Sequence, residues 1–266
     1  MTIFRRTFRD RRRALLWWTL GLVVINVVTL VFYPTVRNSQ SFDELVQQMP
    51  EPLRATFGMA GGVSLSSAPG YLWVRLFSSL LTALLVVYAI VGGASLVGGS
   101  EEDGTLELIL ANPISRASLA AQRVLALAAL LALLVLGSAL SLLLLAPPFS
   151  ALDGIDGAGL AAAFAGLYTL ALLHAAVAFA GGAISGRRGP GFAAATVLAA
   201  GGFLAQGLLT AADAPGWVRN LNPWHWYLHT NLLAFGPSVS AVLPALLLAV
   251  VPVAAGVASF RRRDLR

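Results

Sequence analysis

Apolar residues fall in long blocks along this chain. Six stand out, at about 14–33, 71–99, 118–145, 159–184, 192–212 and 239–260. Each can cross about 30 Å of hydrocarbon, which takes about 20 helical residues. The blocks are rich in Leu, Ala and Val and lack the ten-residue alternation of barrel strands, so they predict helices. The expected fold class is an all-α membrane protein, with six transmembrane helices in one domain over 1–266. Tyr33 and Pro34 are expected to close the first span, with Trp17 and Trp18 in its inner aromatic belt. The second block exceeds what a bilayer needs, and tilt or extension absorbs the surplus. Gly92, Gly93, Gly98 and Gly99 near its end allow close helix packing.

The polar connections carry their own patterns. Residues 1–13 hold six arginines, with Phe4 and Phe8 at i, i+4, which predicts an amphipathic helix lying along the membrane interface. The run after it is longer than a secretory core and has no small-residue cleavage site, so it reads as an uncleaved span. Ser41 to Glu44 forms a capping box for a short amphipathic piece, which Pro50 and Pro52 break. Leu53–Phe57 offers a further turn. Residues 213–238 are irregular and aromatic, with Leu221-Asn222-Pro223-Trp224-His225-Trp226-Tyr227, and read as a re-entrant or interfacial segment before the last span.

Charge fixes orientation. Of 18 basic residues, all arginine, 14 lie in the N-terminus, the 100–123 loop, the 186–191 turn and the C-tail. By the positive-inside rule both termini are cytoplasmic. The net charge of +6 does not imply nucleic acid, because the arginines cluster beside apolar runs where anionic headgroups lie; membrane lipid is the expected partner. With no cysteine, disulfides, thiolate nucleophiles and Cys-ligated metals are excluded. With no lysine, the chain lacks the lysine of a P-loop, a Schiff base or a Ser-Lys dyad.

One mid-chain segment gathers acid. Glu101, Glu102, Asp103 and Glu107 are four of the chain's twelve carboxylates. Leu106, Ile109 and Leu110 are spaced i, i+3, i+4, which predicts a short amphipathic helix with Glu107 off the apolar stripe. Gly104 loosens its start, Pro113 ends it, and Ser115 is placed to cap the next long helix. An ordinary solvated loop is the alternative.

The run Glu101-Glu102-Asp103-Gly104-Thr105-Leu106-Glu107-Leu108-Ile109-Leu110-Ala111-Asn112-Pro113-Ile114-Ser115-Arg116 resembles the cytoplasmic signature of ABC-2 type permeases. These are the membrane subunits of one class of ABC exporter, here of the drug and polyketide-antibiotic kind. Phe260-Arg261-Arg262-Arg263-Asp264-Leu265 resembles that family's tail, and Asn222-Pro223-Trp224 sits where it often has an Asn/Ser-Pro. One departure is Arg123, where a lysine is common; the charge is kept. The resemblance implies that 101–116 is a coupling helix seated in a groove of a separate ABC ATPase subunit. The N-terminal helix, with Phe4, Arg5, Arg6, Phe8 and Arg9, would be a second contact. Two permease subunits, a homodimer or close paralogues, would pair, each with one ATPase copy that binds ATP and Mg. The stripe Leu106/Ile109/Leu110 would be the knob, and the carboxylates would meet basic residues at the groove's rim.

The implied activity is export across the bacterial inner membrane, with no cofactor in this chain and no catalysis of its own. Few ionisable groups lie at membrane depth, which favours an amphipathic or apolar cargo; a polysaccharide or lipid-linked glycan is the alternative. Tyr88, His174, Gln206 and Trp224 are candidate path residues, with helix packing as the other reading of each. His225 and His229 stand i, i+4 as metal ligands do, but no Cys or nearby carboxylate joins them, and interfacial hydrogen bonding is the competing role. An intramembrane hydrolase on Ser185 lacks both the Gly two residues before it and a histidine in the last span. A passive channel is the remaining class.

Overall fold

The computed structural model describes residues 3–37, 39–59, 62–111 and 114–263, with the side chains of all but 40–42. Asn112, Pro113 and the tail from Asp264 therefore lie outside the described residues, as does the side chain of Ser41. Within them the elements are helical and no strand occurs. Six helices are long and apolar enough to span a membrane: α2 (Arg12–Arg37), α5 (Ala68–Glu102), α7 (Arg116–Leu145), α8 (Gly157–Ser185), α9 (Arg188–Ala211) and the last span Val239–Arg262. That last span is a 3-10 turn, Val239–Ala241, followed by α13 (Leu243–Arg262). Short helices fill the connections: α1 (Ile3–Asp10), α3 (Gln40–Gln48), α4 (Glu51–Thr56), α6 (Thr105–Leu110), α10 (Gly216–Arg219), α11 (Pro223–Leu228) and α12 (Leu232–Phe235).

The bundle is organised around α8, which packs on α5, α9 and α13, while α2 packs on α7. In the most apolar window of α5 and of α8, 67% of residues are buried, against 17–22% for α2, α9 and the last span. The outer helices thus keep apolar faces that only lipid or another subunit can cover. Glycine sets the closeness of α5 and α8: a Cβ on Gly93 would lie 2.3 Å from the Ala175 carbonyl oxygen, and one on Gly182 would lie 2.8 Å from that of Ala94. Asn26 ties α2 to α7 at membrane depth, its Nδ2 donating to the Ser138 carbonyl (3.0 Å) and to the Ser141 hydroxyl (2.7 Å).

Several boundaries differ from expectation, each for a local reason. Helix α2 runs past Tyr33 and Pro34 to Arg37, because buried Tyr33 packs on Tyr71 with ring centroids 5.2 Å apart and holds the last turn in place. The second span reaches from Ala68 to Glu102, about 52 Å at 1.5 Å per residue, and its surplus carries the acidic residues out of the membrane. Two stretches of it, Trp73–Leu80 and Ser95–Gly99, are π-helical. The 1–13 helix ends at Asp10, and Arg11 begins the turn into α2. Helix α3 starts at Gln40 with Ser39 at the N-cap and no side-chain cap bond, so the Ser41 capping box does not form its start. Asp43 instead holds a distant loop, accepting from the hydroxyls of Ser64 (2.6 Å) and Ser66 (2.8 Å) and from the Leu65 amide (2.7 Å). Partial burial alone would raise the Asp43 carboxyl, but these donors outweigh it and hold it below the ordinary range. The break expected at Pro50 and Pro52 falls at Met49 and Pro50, between α3 and α4, and Pro52 itself sits in the first turn of α4, where no amide hydrogen is needed. The expected turn over 53–57 is the rest of α4, which stops at Thr56.

The 213–238 segment forms α10, α11 and α12, anchored on the bundle by Tyr227, whose hydroxyl donates to the Phe77 carbonyl (3.0 Å). Asn222 caps α11, accepting from the Trp224 amide (3.1 Å), and its Nδ2 donates to the Gly202 carbonyl (2.8 Å). Within the aromatic run, Trp226 Nε1 donates to the Asn220 carbonyl (2.8 Å), whereas Trp224 Nε1 is buried with no hydrogen-bond partner among the described residues.

Candidate functional site

The acidic segment follows directly from α5. Gly104 adopts φ +66°, a left-handed turn that separates α5 from α6. The Thr105 hydroxyl donates back to the Ser100 carbonyl (3.1 Å), closing the end of α5. Ser115 caps α7 as expected, its hydroxyl accepting from the Ser118 amide (3.2 Å).

Three of the four carboxylates are held by this chain's own arginines. Arg188, at the start of α9, places Nε 2.6 Å from Glu102 Oε2 and Nη2 2.6 Å from Asp103 Oδ1. Its amide also donates to Glu102 Oε1 (3.2 Å). Glu101 pairs with Arg263 at the end of α13, and its side chain is only 8% exposed. Arg116 donates to the Arg263 carbonyl and lies 6.0 Å over the Phe260 ring. Glu101, Glu102 and Asp103, expected at a partner's rim, are thus engaged within this chain. They clasp the segment to α9 and α13, because the α8–α9 turn and the C-terminal arginines arrive at the same end. Arg123 is buried, donating to the Leu96 carbonyl and to the Ser100 hydroxyl (2.9 Å), so it holds the end of α5 from α7.

The apolar stripe also faces inward. Leu106 is 1% exposed, and Ile109 and Leu110 pack beside it on the bundle's own core. The stripe anchors α6 on the chain's own core, while Leu108 is 74% exposed and adjoins exposed Glu107. Glu107 has no salt bridge among the described residues. Beside this segment, α1 packs on α7 through buried Ile3 and half-buried Phe8, with Phe4 and Phe8 stacked at 6.4 Å and Arg5, Arg6 and Arg9 exposed. Between α1 and α6 lies a cavity of about 580 Å³, reached by Arg6, Arg9 and Thr105.

A family model described as an ABC-2 family transporter protein matches residues 1–265. The chain belongs to that family. It is accordingly a membrane permease of an ABC transporter and a multi-pass membrane protein. ABC-2 permeases are transmembrane subunits, generally non-catalytic, and generally associate with an ABC ATPase subunit. No curated protein matches the chain.

The four candidate path residues of this ABC-2 permease do not form one surface. His174 is fully buried, its Nδ1 2.8 Å from the Leu170 carbonyl and its ring edge-on to Trp224 with centroids 6.1 Å apart. Trp224 in turn meets Phe203 at 5.2 Å. Tyr88 lies apart from them, against Trp18 at 5.4 Å. Gln206 sits farther along α9, its Nε2 3.3 Å from His225 Nδ1. The membrane-depth cavities lie elsewhere and are apolar. One of about 530 Å³ is bounded by Leu136, Ala139 and Leu143 of α7 and Leu160, Phe164 and Tyr168 of α8.

Sequence reasoning missed Arg11, Arg187, Arg188 and Arg263 as positioning residues. Arg11 donates to the Ser95 hydroxyl (2.7 Å), and the Arg187 carbonyl lies against Gly98, where a Cβ would be 2.7 Å away. The available signal was charge balance: carboxylates at one membrane face and arginines in the neighbouring turns of that face must pair or be hydrated.

Proposed function

We propose that this ABC-2 permease is the membrane-spanning subunit of an ATP-driven exporter that moves an amphipathic or hydrophobic cargo across the bacterial inner membrane. Two such permeases, identical or closely paralogous, pair, and each carries one ATPase subunit that binds ATP and Mg. A chain without lysine has no P-loop lysine, so the energy source acts in trans. The arginine bias supports a cytoplasmic position for both termini and the acidic segment.

One observation carries this reading. A short helix is fastened on its inner side by Leu106 and the arginine clasp, and turns Glu107 and Leu108 to solvent. An exposed apolar side chain beside a carboxylate on a fixed base suits a groove with a basic rim. Because α6 follows directly on the end of α5, which is itself clasped to α9 and α13, displacement of it would move three spans as a body, the kind of switch that alternating access needs. The test is to co-express Glu107→Arg and Leu108→Asp variants with the ATPase subunit. Association and stimulated ATP hydrolysis are expected to fall about tenfold or more, with the permease's melting temperature unchanged. Undiminished association and transport-linked hydrolysis in both variants would remove the reading.

A further inference from the structure

At the end of the bundle away from the acidic segment, α4, α9, α10 and α11 enclose a polar cavity of about 260 Å³. It lies about 27 Å along α9 from Arg188, at 1.5 Å per residue. Its volume far exceeds the roughly 10–15 Å³ that admits one water. Arg54 comes from α4, Arg219 from α10, His225 and His229 from α11 and its C-cap, and Gln206 from α9; Glu51 is the one carboxylate among the lining residues. The walls are built closely. A Cβ on Gly207 of α9 would lie 2.1 Å from Thr56 Oγ1 and 2.8 Å from the Pro52 carbonyl oxygen, so only glycine lets α4 sit there.

The cavity is rich in donors and poor in acceptors. Arg54 Nε and Arg219 Nε are buried and have no hydrogen-bond partner among the described residues. Neither guanidinium forms a salt bridge with Glu51 among the described residues. His229 Nδ1 lies 2.9 Å from the His225 carbonyl and 3.1 Å from that of Trp226, so it carries the hydrogen. His225 Nδ1 faces the Gln206 amide at 3.3 Å and accepts from it, which leaves the hydrogen on His225 Nε2 as a further donor. The two imidazole rings stand 5.3 Å apart. Burial, and then the proximity of His229 and Arg219, hold the His225 imidazole down at about 4. Unpartnered buried donors are costly, and those of guanidinium groups the more so.

An oxyanion in the cavity would supply the missing acceptors and relieve the crowding of positive groups. A carboxylate offers two oxygens to one side. A phosphoryl group offers three or four, matching donors that converge from three elements. We propose that this cavity is a binding site for a phosphate-class oxyanion, presented either as the free ion or as the headgroup of a phospholipid in the adjoining leaflet. The guanidinium of Arg54 holds it from one wall and that of Arg219 from the other, with His225 Nε2–H between them. This site is separate from the acidic segment and stands or falls independently of ATPase coupling.

The test uses the full chain in neutral-detergent micelles, titrated calorimetrically with inorganic phosphate. Native mass spectrometry alongside it compares retention of phosphatidylglycerol with that of an uncharged glycolipid. The wild type is expected to bind phosphate, or to retain phosphatidylglycerol over the glycolipid, and Arg54→Gln and Arg219→Gln to weaken this about tenfold or more. Binding of phosphate alone identifies the free ion; selective retention of the phospholipid alone identifies the headgroup. Arg219→Lys, which keeps the charge but loses the fork, is expected to bind with intermediate strength and melt like the wild type, so a folding defect in the Gln variants does not decide the matter. If the wild type binds neither ligand, or if Arg219→Lys and both Gln variants bind as it does, the proposal is overturned.

Discussion

Leu106 and Leu108 are two residues apart with the same chemistry and opposite exposure, 1% and 74%. Leu106→Ala leaves a hole under α6 and is expected to cost about 2–5 kcal/mol, seen as a lowered melting temperature. Leu108→Ala is expected to change stability by no more than about 0.5 kcal/mol and to be read in ATPase stimulation instead. The period of the apolar stripe was legible in the sequence, but the identity of its cover was not. Spacing says which residues share a face, while the choice between a partner's groove and the chain's own core is made only in the assembled bundle. The far-end cavity places a second imidazole and two guanidinium groups around His225. With His229 and Arg219 beside it, and Arg54 and Glu51 across the cavity, His225 titrates near 4 in the fold against about 6.5 in an unfolded chain. Protonation therefore opposes the folded state. Its contribution is intact above about pH 6.5 and is lost as pH falls toward 4. Thermal melts across that window are expected to decline more steeply for the wild type than for His225→Gln.

The crossing of α5 and α8 is decided by glycine. With a Cβ at Gly93 only 2.3 Å from the Ala175 carbonyl, Gly93→Val must push the two helices apart along their most buried contact. Such a variant is expected to express poorly and to lose several degrees of melting temperature, whereas Gly21→Val, in open space, is expected to behave as wild type. Sequence reading marked the glycines of α5 as packing positions because a long apolar run offers few other reasons for them. Pro34 does not end its span, because a proline's effect depends on its place in the turn, and Pro34 lies in a last turn that Tyr33 anchors. Ser41 was credited with a cap that Ser39 occupies, while Asp43, read as part of that box, reaches across more than twenty residues to Ser64. Side-chain bonds over such distances leave no periodic trace.

For the molecule as a whole, the six spans were legible because hydrocarbon thickness sets a minimum length for each, though the helices run longer than the apolar blocks. The clasp was less so, since it joins residues from α5, α9 and α13 that only the assembled bundle brings together. The absence of cysteine makes the topology directly measurable. A single cysteine at Leu108 is expected to react with a membrane-impermeant maleimide only in inside-out vesicles, and one at exposed Trp217 only in intact cells. The π-helical stretch Ser95–Gly99 holds one residue more per turn than an α-helix would. It acts as a stored length of chain just before the acidic segment. Deleting one residue within it would let the stretch close as ordinary α-helix with the chain beyond it still in phase, because a π-turn takes in its extra residue over nearly the same rotation. Glu102 and Asp103 would then still face Arg188. A one-residue deletion there should thus leave the clasp in register, whereas one in the α-helical stretch Leu81–Ala94 should turn the clasp by about 100°, as when a gear is re-keyed on an intact shaft.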